Sequence, residues 1–279
     1  MMIVAGPSCL AEAKGAAVGE VLLEREGGVA KVTISSPSTK NAMTAEMFDE
    51  FARICREVDG TPDDRVLLVT GAGGDFCSGA DLKSGGGEVA VSSQYHAALA
   101  RMKKIHSGAL ALHWCSKPTI AAVRGVAVGA GANLALGCDI VYASETARFS
   151  QIFVKRGLVL DYGGSYLLPR LVGVHKAFEL ALTGDMVDAP EAERIGLVNK
   201  VVPDGVLDAD SSELALRITK APPIQTMLIK QNLRAGAASS MESALEAEAH
   251  AQSVAMGTED LIEAMAAWLQ KREPEFKGR

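Results

Sequence analysis

The sequence predicts an α/β domain with parallel strand pairing. Two runs, VLLVT at 66–70 and TIAAVRGVAV at 119–128, are apolar almost throughout, the pattern of strands buried on both faces. Each leads into a loop of very small residues, GAGGDFCSGADLK and GAGANLALGCD. Segments with helical spacing separate the strands, and alternation of this kind places helices over a largely parallel sheet. The 279 residues are 48% hydrophobic and 22% charged, enough for one large domain with a real core.

In chain order, residues 20 to 25 and 29 to 34 are rich in Val, Leu and Ile and are separated by Gly27-Gly28, which predicts a β-hairpin. Thr44 opens a helix whose apolar positions, Met47, Phe51, Ile54, Cys55 and Val58, share a face. Arg65 leads into the first buried strand, and residues 92 to 114 have helical leanings. Pro118 precedes the second apolar run, which reads as one strand, and Ile140 to Ala143 forms another. VHKAFELALT, 174–183, predicts a helix stopped by Gly184. Beyond about residue 204 the chain reads as helical. Thr258 caps a last helix with Leu261, Met265, Trp268 and Leu269 on one face, a stripe suited to packing on its own domain or on another subunit.

Several function classes fall away. The net charge is −6 and the pI about 5.5, with no basic stripe for nucleic acid. No apolar run approaches the roughly 18 residues needed to cross a bilayer. The N-terminal stretch is too weakly apolar for a secretory signal and reads as a mobile extension over 1–19. Cysteines at 9, 55, 77, 115 and 138 are scattered, which predicts reduced, buried thiols in a cytoplasmic protein and no metal site. His106 and His113 read as surface or core residues rather than ligands. Arg124 and Arg170 are candidates for pairing with carboxylates.

The chemistry concentrates in the two small-residue loops, 73–83 and 124–139. Small residues let backbone N–H groups approach a ligand atom, and a helix beginning just after adds the positive end of its dipole. Two such groups converging on one oxygen make an oxyanion hole; the alternative is that the glycines only turn the chain. Gly129-Ala-Gly131 lacks the third glycine of a dinucleotide fingerprint, there is no phosphate-binding GxxxxGK[ST], and no Ser-His-Asp arrangement can be placed.

FCSGADLK, PTIAAVRGVAVGAGANLALGCDIVYAS, GLVLDYGGSYLLPRLVG and LTGDMVDAPEAERIGLVNKVV, in that order, resemble the enoyl-CoA hydratase/isomerase (crotonase) family, as does the ending EPEFKGR. The likeness runs from about residue 20 to the C-terminus. It implies a spiral of repeated strand-strand-helix units over 20–204 that binds acyl-CoA and carries catalysis. It also implies a C-terminal helical region, 205–279, that builds a homotrimer or a hexamer of two trimers. The implied substrate is a fatty-acyl thioester of coenzyme A, with no permanently bound cofactor. By position, the enolate-stabilising N–H groups fall at Ala80 and Ala130. Backbone contacts to coenzyme A fall around Lys40, Asn41 and Ala42 and around Asp81 and Leu82. Phe276 and Lys277 match a tail that reaches a CoA, on the same or a neighbouring subunit.

The hydratases of that family use two glutamates to position and activate water. Here those positions hold Asn133 and Phe153. Neither side chain is a base, so ordinary hydration is not expected. Attention moves to Asp161 in GLVLDYGGSYLLPR, where some isomerases of the fold carry a proton-shuttling aspartate. The alternative is that Asp161 only caps the helix that follows. Asn133, Phe153, Tyr162 and Ser165 are the candidate acyl-pocket residues, and the glycine- and serine-rich stretch 84–93 is expected to be a mobile loop at the acyl entrance. Three functions stay open: an enoyl-CoA isomerase with Asp161 as single base, a weak hydratase, and a silent acyl-CoA-binding protein.

Overall fold

The computed structural model describes residues 19–82 and 95–279. The expected extension, apart from Gly19, and the expected entrance loop at 84–93 lie outside the described residues. Strands β1 (Glu20–Glu26) and β2 (Val29–Ser35) form the expected hairpin in antiparallel register, Glu26 opposite Val29. Gly27 and Gly28 both have positive φ, 57° and 83°, which a two-residue turn of this hand requires. The Thr44 hydroxyl accepts the Met47 N–H at 3.3 Å and starts α1 (Ala45–Gly60). The helix buries Met47, Phe48, Phe51, Ala52, Ile54, Cys55 and Val58, the face its spacing predicted plus Phe48 and Ala52.

Strand β3 (Val66–Gly71), helix α2 (Tyr95–Trp114), strands β4 (Thr119–Val123) and β5 (Val126–Val128), helix α3 (Ala130–Leu136) and strands β6 (Ile140–Ser144) and β7 (Arg148–Ser150) follow. Next come a 3-10 turn at Ile152–Arg156, α4 (Gly164–Val172), α5 (Val174–Thr183), β8 (Val187–Asp188), α6 (Ala189–Arg194) and β9 (Lys200–Val202). The main sheet runs β1-β2-β3-β4-β6-β9 and is parallel from β2 onward. Alternate residues of its strands face opposite layers. Val32, Leu67, Val69, Ala121 and Val123 join the large core under α1 and α2, while Val66, Leu68, Ile120 and Ala122 join a second core with Leu207, Leu214 and Ala215. Burial on both faces is why these strands read as unbroken apolar runs.

The run 119–128 is two strands, not one. Arg124-Gly125 breaks it, with Gly125 at φ 53° and its backbone against the Gly74 carbonyl, where no side chain fits. The Asp75 carboxylate accepts the Val126 N–H at 2.8 Å and fixes the new direction. Strand β5 thereby leaves the main sheet and joins β7 and β8 in a small second sheet.

The helical C-terminal region comprises α7 (Leu207–Thr219), α8 (Pro223–Gly236), α9 (Met241–Met256) and α10 (Glu259–Gln270). Helix α7 covers the sheet, and Arg124 pairs with Asp204 and Asp208 beside it. Helix α8 is tied down by charge. The Lys230 ammonium, almost fully buried, donates to the Lys117 carbonyl at 2.6 Å and lies 2.7 Å from the Asp139 carboxylate, which also takes Arg234 and the Thr119 N–H and hydroxyl. Thr258 caps α10 as expected, and the stripe Leu261, Met265, Trp268 and Leu269 stands exposed on the single chain, Trp268 at 73%. Cys55, Cys77, Cys115 and Cys138 are free and buried; burial pushes the Cys77 thiol up to about 12, so it stays protonated. No helix among the described residues is long and apolar enough to cross a membrane.

Asp139→Ala leaves the Lys230 ammonium without its counter-charge. It is expected to destabilise the protein by about 3 kcal/mol in urea unfolding; a change within experimental error of zero would show that α8 is held by its apolar contacts instead.

Candidate functional site

The two small-residue loops meet backbone to backbone at one end of β3 and β5. Cys77 N–H donates to the Val126 carbonyl at 2.9 Å and Val128 N–H returns a bond to the Cys77 carbonyl at 3.0 Å. A Cβ on Gly131 would overlap the Cys77 carbonyl, and one on Gly79 would lie 2.9 Å from the Val128 oxygen. Gly79 also has φ 98°, in the region open to glycine. On the outer side, the Gly79 carbonyl and the Asp81 N–H both bond Met43, which turns the Ala80 N–H the other way. Ala130 is the first residue of α3, and the Gly129 N–H before it is held by the Ser150 carbonyl at 2.9 Å. Neither the Ala80 nor the Ala130 N–H donates to a protein group among the described residues. A Cβ on Gly79 would stand 3.6 Å from the Ala130 nitrogen, so the two donors are neighbours.

Asp161 enters this neighbourhood through a strained turn. Tyr162 has φ 49° and Gly163 φ 84°. A left-handed tyrosine costs about 1–3 kcal/mol unless its surroundings hold it. They do. The Asn133 side-chain amide donates to the Asp161 carbonyl at 2.8 Å, the Gly164 N–H donates to the same carbonyl at 2.9 Å, and Gln151 donates to the Asn133 side-chain oxygen at 2.8 Å. Asn133 is therefore a buried staple between α3, Gln151 and the Asp161 turn.

The Asp161 carboxylate does not cap α4. The cap position is Gly163, with no side-chain cap bond, which overturns the cap-only reading. Asp161 Oδ1 is buried and has no hydrogen-bond partner among the described residues, and the same holds for Tyr162 Oη and His106 Nε2. Leaving such groups unpaired costs about 1–3 kcal/mol each. Burial raises the Asp161 carboxyl above its ordinary range, and a charge on His106 opposes the rise.

The four residues expected to share one acyl pocket border two cavities. Phe153, its ring beside Gly129, and Ser165 line an apolar space of about 450 Å³ together with Leu158, Leu160, Leu168 and Phe178. Asn133 and Tyr162 border a second space of about 340 Å³ with Leu112, Trp114 and Tyr166, between α2 and α4. Tyr162 is 1% exposed and packs on Phe48 with ring centroids 5.2 Å apart, so it is chiefly a core residue. Asp161 stands between Leu160, on the first cavity, and Tyr162, on the second. Arg170 pairs with no carboxylate among the described residues; its guanidinium lies 3.6 Å over the Tyr166 ring.

The turn bearing Lys40, Asn41 and Ala42 sits against the first loop, since Ser78 bonds the Lys40 and Thr39 carbonyls. That brings those residues together with Ala80, Asp81 and exposed Leu82. Lys40 is exposed, 3.9 Å from Asp75. The Asn41 side chain is fully buried and holds the turn: it accepts the Ser36 N–H and donates to the Ala72 and Asp75 carbonyls. Phe276 and Lys277 are elsewhere in the same chain. The Phe276 carbonyl lies 3.5 Å from Arg65, just before β3, and the Lys277 N–H bonds Asp260, whereas Ala80 follows the other end of β3. The described residues contain no cluster of metal-ligating side chains.

Residues 24–279 match the family described as enoyl-CoA hydratase/isomerase, and the chain belongs to that family. It is 35% identical to 1,2-epoxyphenylacetyl-CoA isomerase of Escherichia coli, covering 93% of this chain and 98% of the other. It is 36% identical to short-chain-enoyl-CoA hydratase of Clostridium acetobutylicum, covering 94% and 99%. The crystal structure of an enoyl-CoA hydratase from Bacillus anthracis superposes with a TM-score of 0.87 at 30% identity, covering 93% of this chain and all of that one. The architecture is thus the crotonase fold.

A raised carboxyl binds its proton more tightly in the folded chain than in the unfolded one. Stability therefore falls as pH rises from the ordinary Asp value through the raised value, and the full penalty is present above it. Asp161→Asn removes that penalty. The variant is expected to melt higher than wild type at pH 8, with the gap closing towards pH 4, about where Asp ionises in the unfolded chain. Equal melting temperatures at both pH values would contradict it.

Proposed function

We propose that this member of the enoyl-CoA hydratase/isomerase family shifts a carbon–carbon double bond along an acyl-CoA thioester, with Asp161 as the single acid–base group. The thioester oxygen accepts the Ala80 and Ala130 N–H groups. The Asp161 carboxylate takes a proton from the α-carbon of a 3-enoyl thioester, and the freed electron pair enters a dienolate whose negative oxygen rests on the two donors. The carboxylic acid then returns the proton to the γ-carbon. The double bond moves from C3–C4 to C2–C3, and the carboxylate is regenerated with no net change in atoms or charge.

One observation carries this reading: the Asp161 carboxylate is half-buried, raised in proton affinity by that burial, and free of the cap that would give it a structural purpose. A base poised towards neutrality transfers protons more effectively than a solvated aspartate. Asn133 has both side-chain groups engaged, and the Phe153 ring stands beside the second loop. Neither supplies the water-activating carboxylate that hydration needs. The relatives include both an isomerase and a hydratase by name, so the choice rests on these side chains. The turn at Lys40–Ala42 with Asp81 and Leu82 is the proposed backbone cradle for coenzyme A, and the exposed stripe on α10 is the proposed contact between copies in a trimer or hexamer.

Incubation with 3-enoyl-CoA should yield 2-enoyl-CoA. Asp161→Asn should lower kcat by about 10²–10⁴-fold while leaving acyl-CoA binding intact. Accumulation of 3-hydroxyacyl-CoA from 2-enoyl-CoA would favour a hydratase instead, and binding without turnover a silent carrier.

A further inference from the structure

Gln151 is buried, 4% exposed, and takes no part in the proton transfer proposed above. It stands where the two halves of the site meet. The residue before it, Ser150, lies opposite Val128 in the pairing of β5 with β7. The Ser150 carbonyl accepts the Gly129 N–H at 2.9 Å, next to the Ala130 donor. The Gln151 side chain reaches the other way and donates to the Asn133 side-chain oxygen at 2.8 Å. Asn133 belongs to the first turn of α3, its N–H on the Gly129 carbonyl at 3.0 Å, and its side-chain amide holds the Asp161 carbonyl.

The direction of these bonds is forced. The Asp161 carbonyl can only accept, so Asn133 turns its NH2 towards it. The Asn133 oxygen then faces Gln151, which presents its own NH2 in turn. Gln151 Oε1 is left over, buried and without a partner among the described residues. Native interiors leave few such atoms, and each calls for an explanation. Here the orphan oxygen follows from a directional chain that an apolar side chain could not supply. The last torsion of an asparagine is broad and loosely set. Bonds at both ends of the Asn133 amide keep it aimed at the Asp161 turn.

We infer that Gln151 is a positioning residue of this site, which through Asn133 holds the Asp161 turn in register with the Ala130 donor. This rests on the isomerase reading of Asp161. A single carboxylate has to serve both the α- and the γ-carbon of a chain whose thioester oxygen is pinned on Ala80 and Ala130. It tolerates little drift between base and donors. The dipeptide Ser150-Gln151 ties the two together, the donor loop by its main chain and the Asp161 turn by its side chain.

Four variants test this: Gln151→Met, which keeps the length of the side chain without its polar atoms, Gln151→Glu, Asn133→Ala, and the double variant Gln151→Met with Asn133→Ala. The readouts are kcat and KM on 3-enoyl-CoA and the hydrogen exchange of the Gly164 N–H, which shares the Asp161 carbonyl. Gln151→Met should lower kcat about tenfold with KM little changed, and should speed exchange at Gly164. Gln151→Glu should lose more, because a carboxylate has no N–H to donate and draws the Asn133 amide away from Asp161. It serves as the reading if the Met variant does not fold. A role in packing alone would rank Glu, the nearer shape, closer to wild type than Met. In the Asn133→Ala background Gln151→Met should lower kcat no further, since the link it acts through is gone. Losses that multiply in the double variant, or wild-type kcat and exchange in Gln151→Met, would overturn the inference. Faster exchange at Gly164 in Gln151→Met, with no isomerisation in any of the proteins, would leave the positioning role standing and remove the isomerase reading.

Discussion

Two stretches of main chain, 77–80 and 126–131, approach each other with no room for a side chain between them, and the rest of the candidate site is arranged around that contact. Gly79 and Gly131 have no Cβ where a Cβ would strike a carbonyl of the other loop. That contact makes neighbours of the Ala80 and Ala130 N–H groups. The parallel sheet delivers the first loop to this edge, and the break at Arg124-Gly125 delivers the second by sending β5 across to the small sheet. The small sheet in turn supplies the Ser150 carbonyl that holds the Gly129 N–H. Backbone donors placed this way need no reorganisation when charge develops, which is the physical source of oxyanion stabilisation.

Around this rigid frame the Asp161 turn is unfavourable in several respects at once. Tyr162 is left-handed, Asp161 Oδ1 and Tyr162 Oη are buried without partners among the described residues, and a carboxylate sits where burial resists its charge. Local conflicts of this kind, inside an otherwise well-packed core, mark the place where a fold gives up stability for chemistry. Asn133 makes the arrangement tolerable by bonding the carbonyl of Asp161 and leaving its carboxylate alone.

Much of the fold was legible because burial on both faces of a parallel strand leaves an unmistakable run of apolar residues, as at 66–70 and 119–123. The hairpin at Gly27-Gly28 and the caps at Thr44 and Thr258 were legible because their residue types are dictated locally. The break at Arg124-Gly125 was not, since the apolar pattern continues across it and the cause, the Gly74 carbonyl, is distant in sequence. Asp161 stood out as a charge among apolar neighbours, but only the tertiary structure separates a cap from a free carboxylate. Asn133 was read as substrate-facing from its position, while its side chain is spent on the Asp161 carbonyl and the Gln151 amide.

Gly164 and Asn133 are fitted to each other. The space where a Cβ of residue 164 would lie is filled by the Asn133 amide, and that amide holds the Asp161 turn. A glutamate at 133 would bring a carboxylate, which has no N–H to offer the Asp161 carbonyl and one more methylene to accommodate. Residue 133 therefore cannot become glutamate alone: the exchange would take away the amide that holds the Asp161 turn, and the turn and the residue at 133 can change only together.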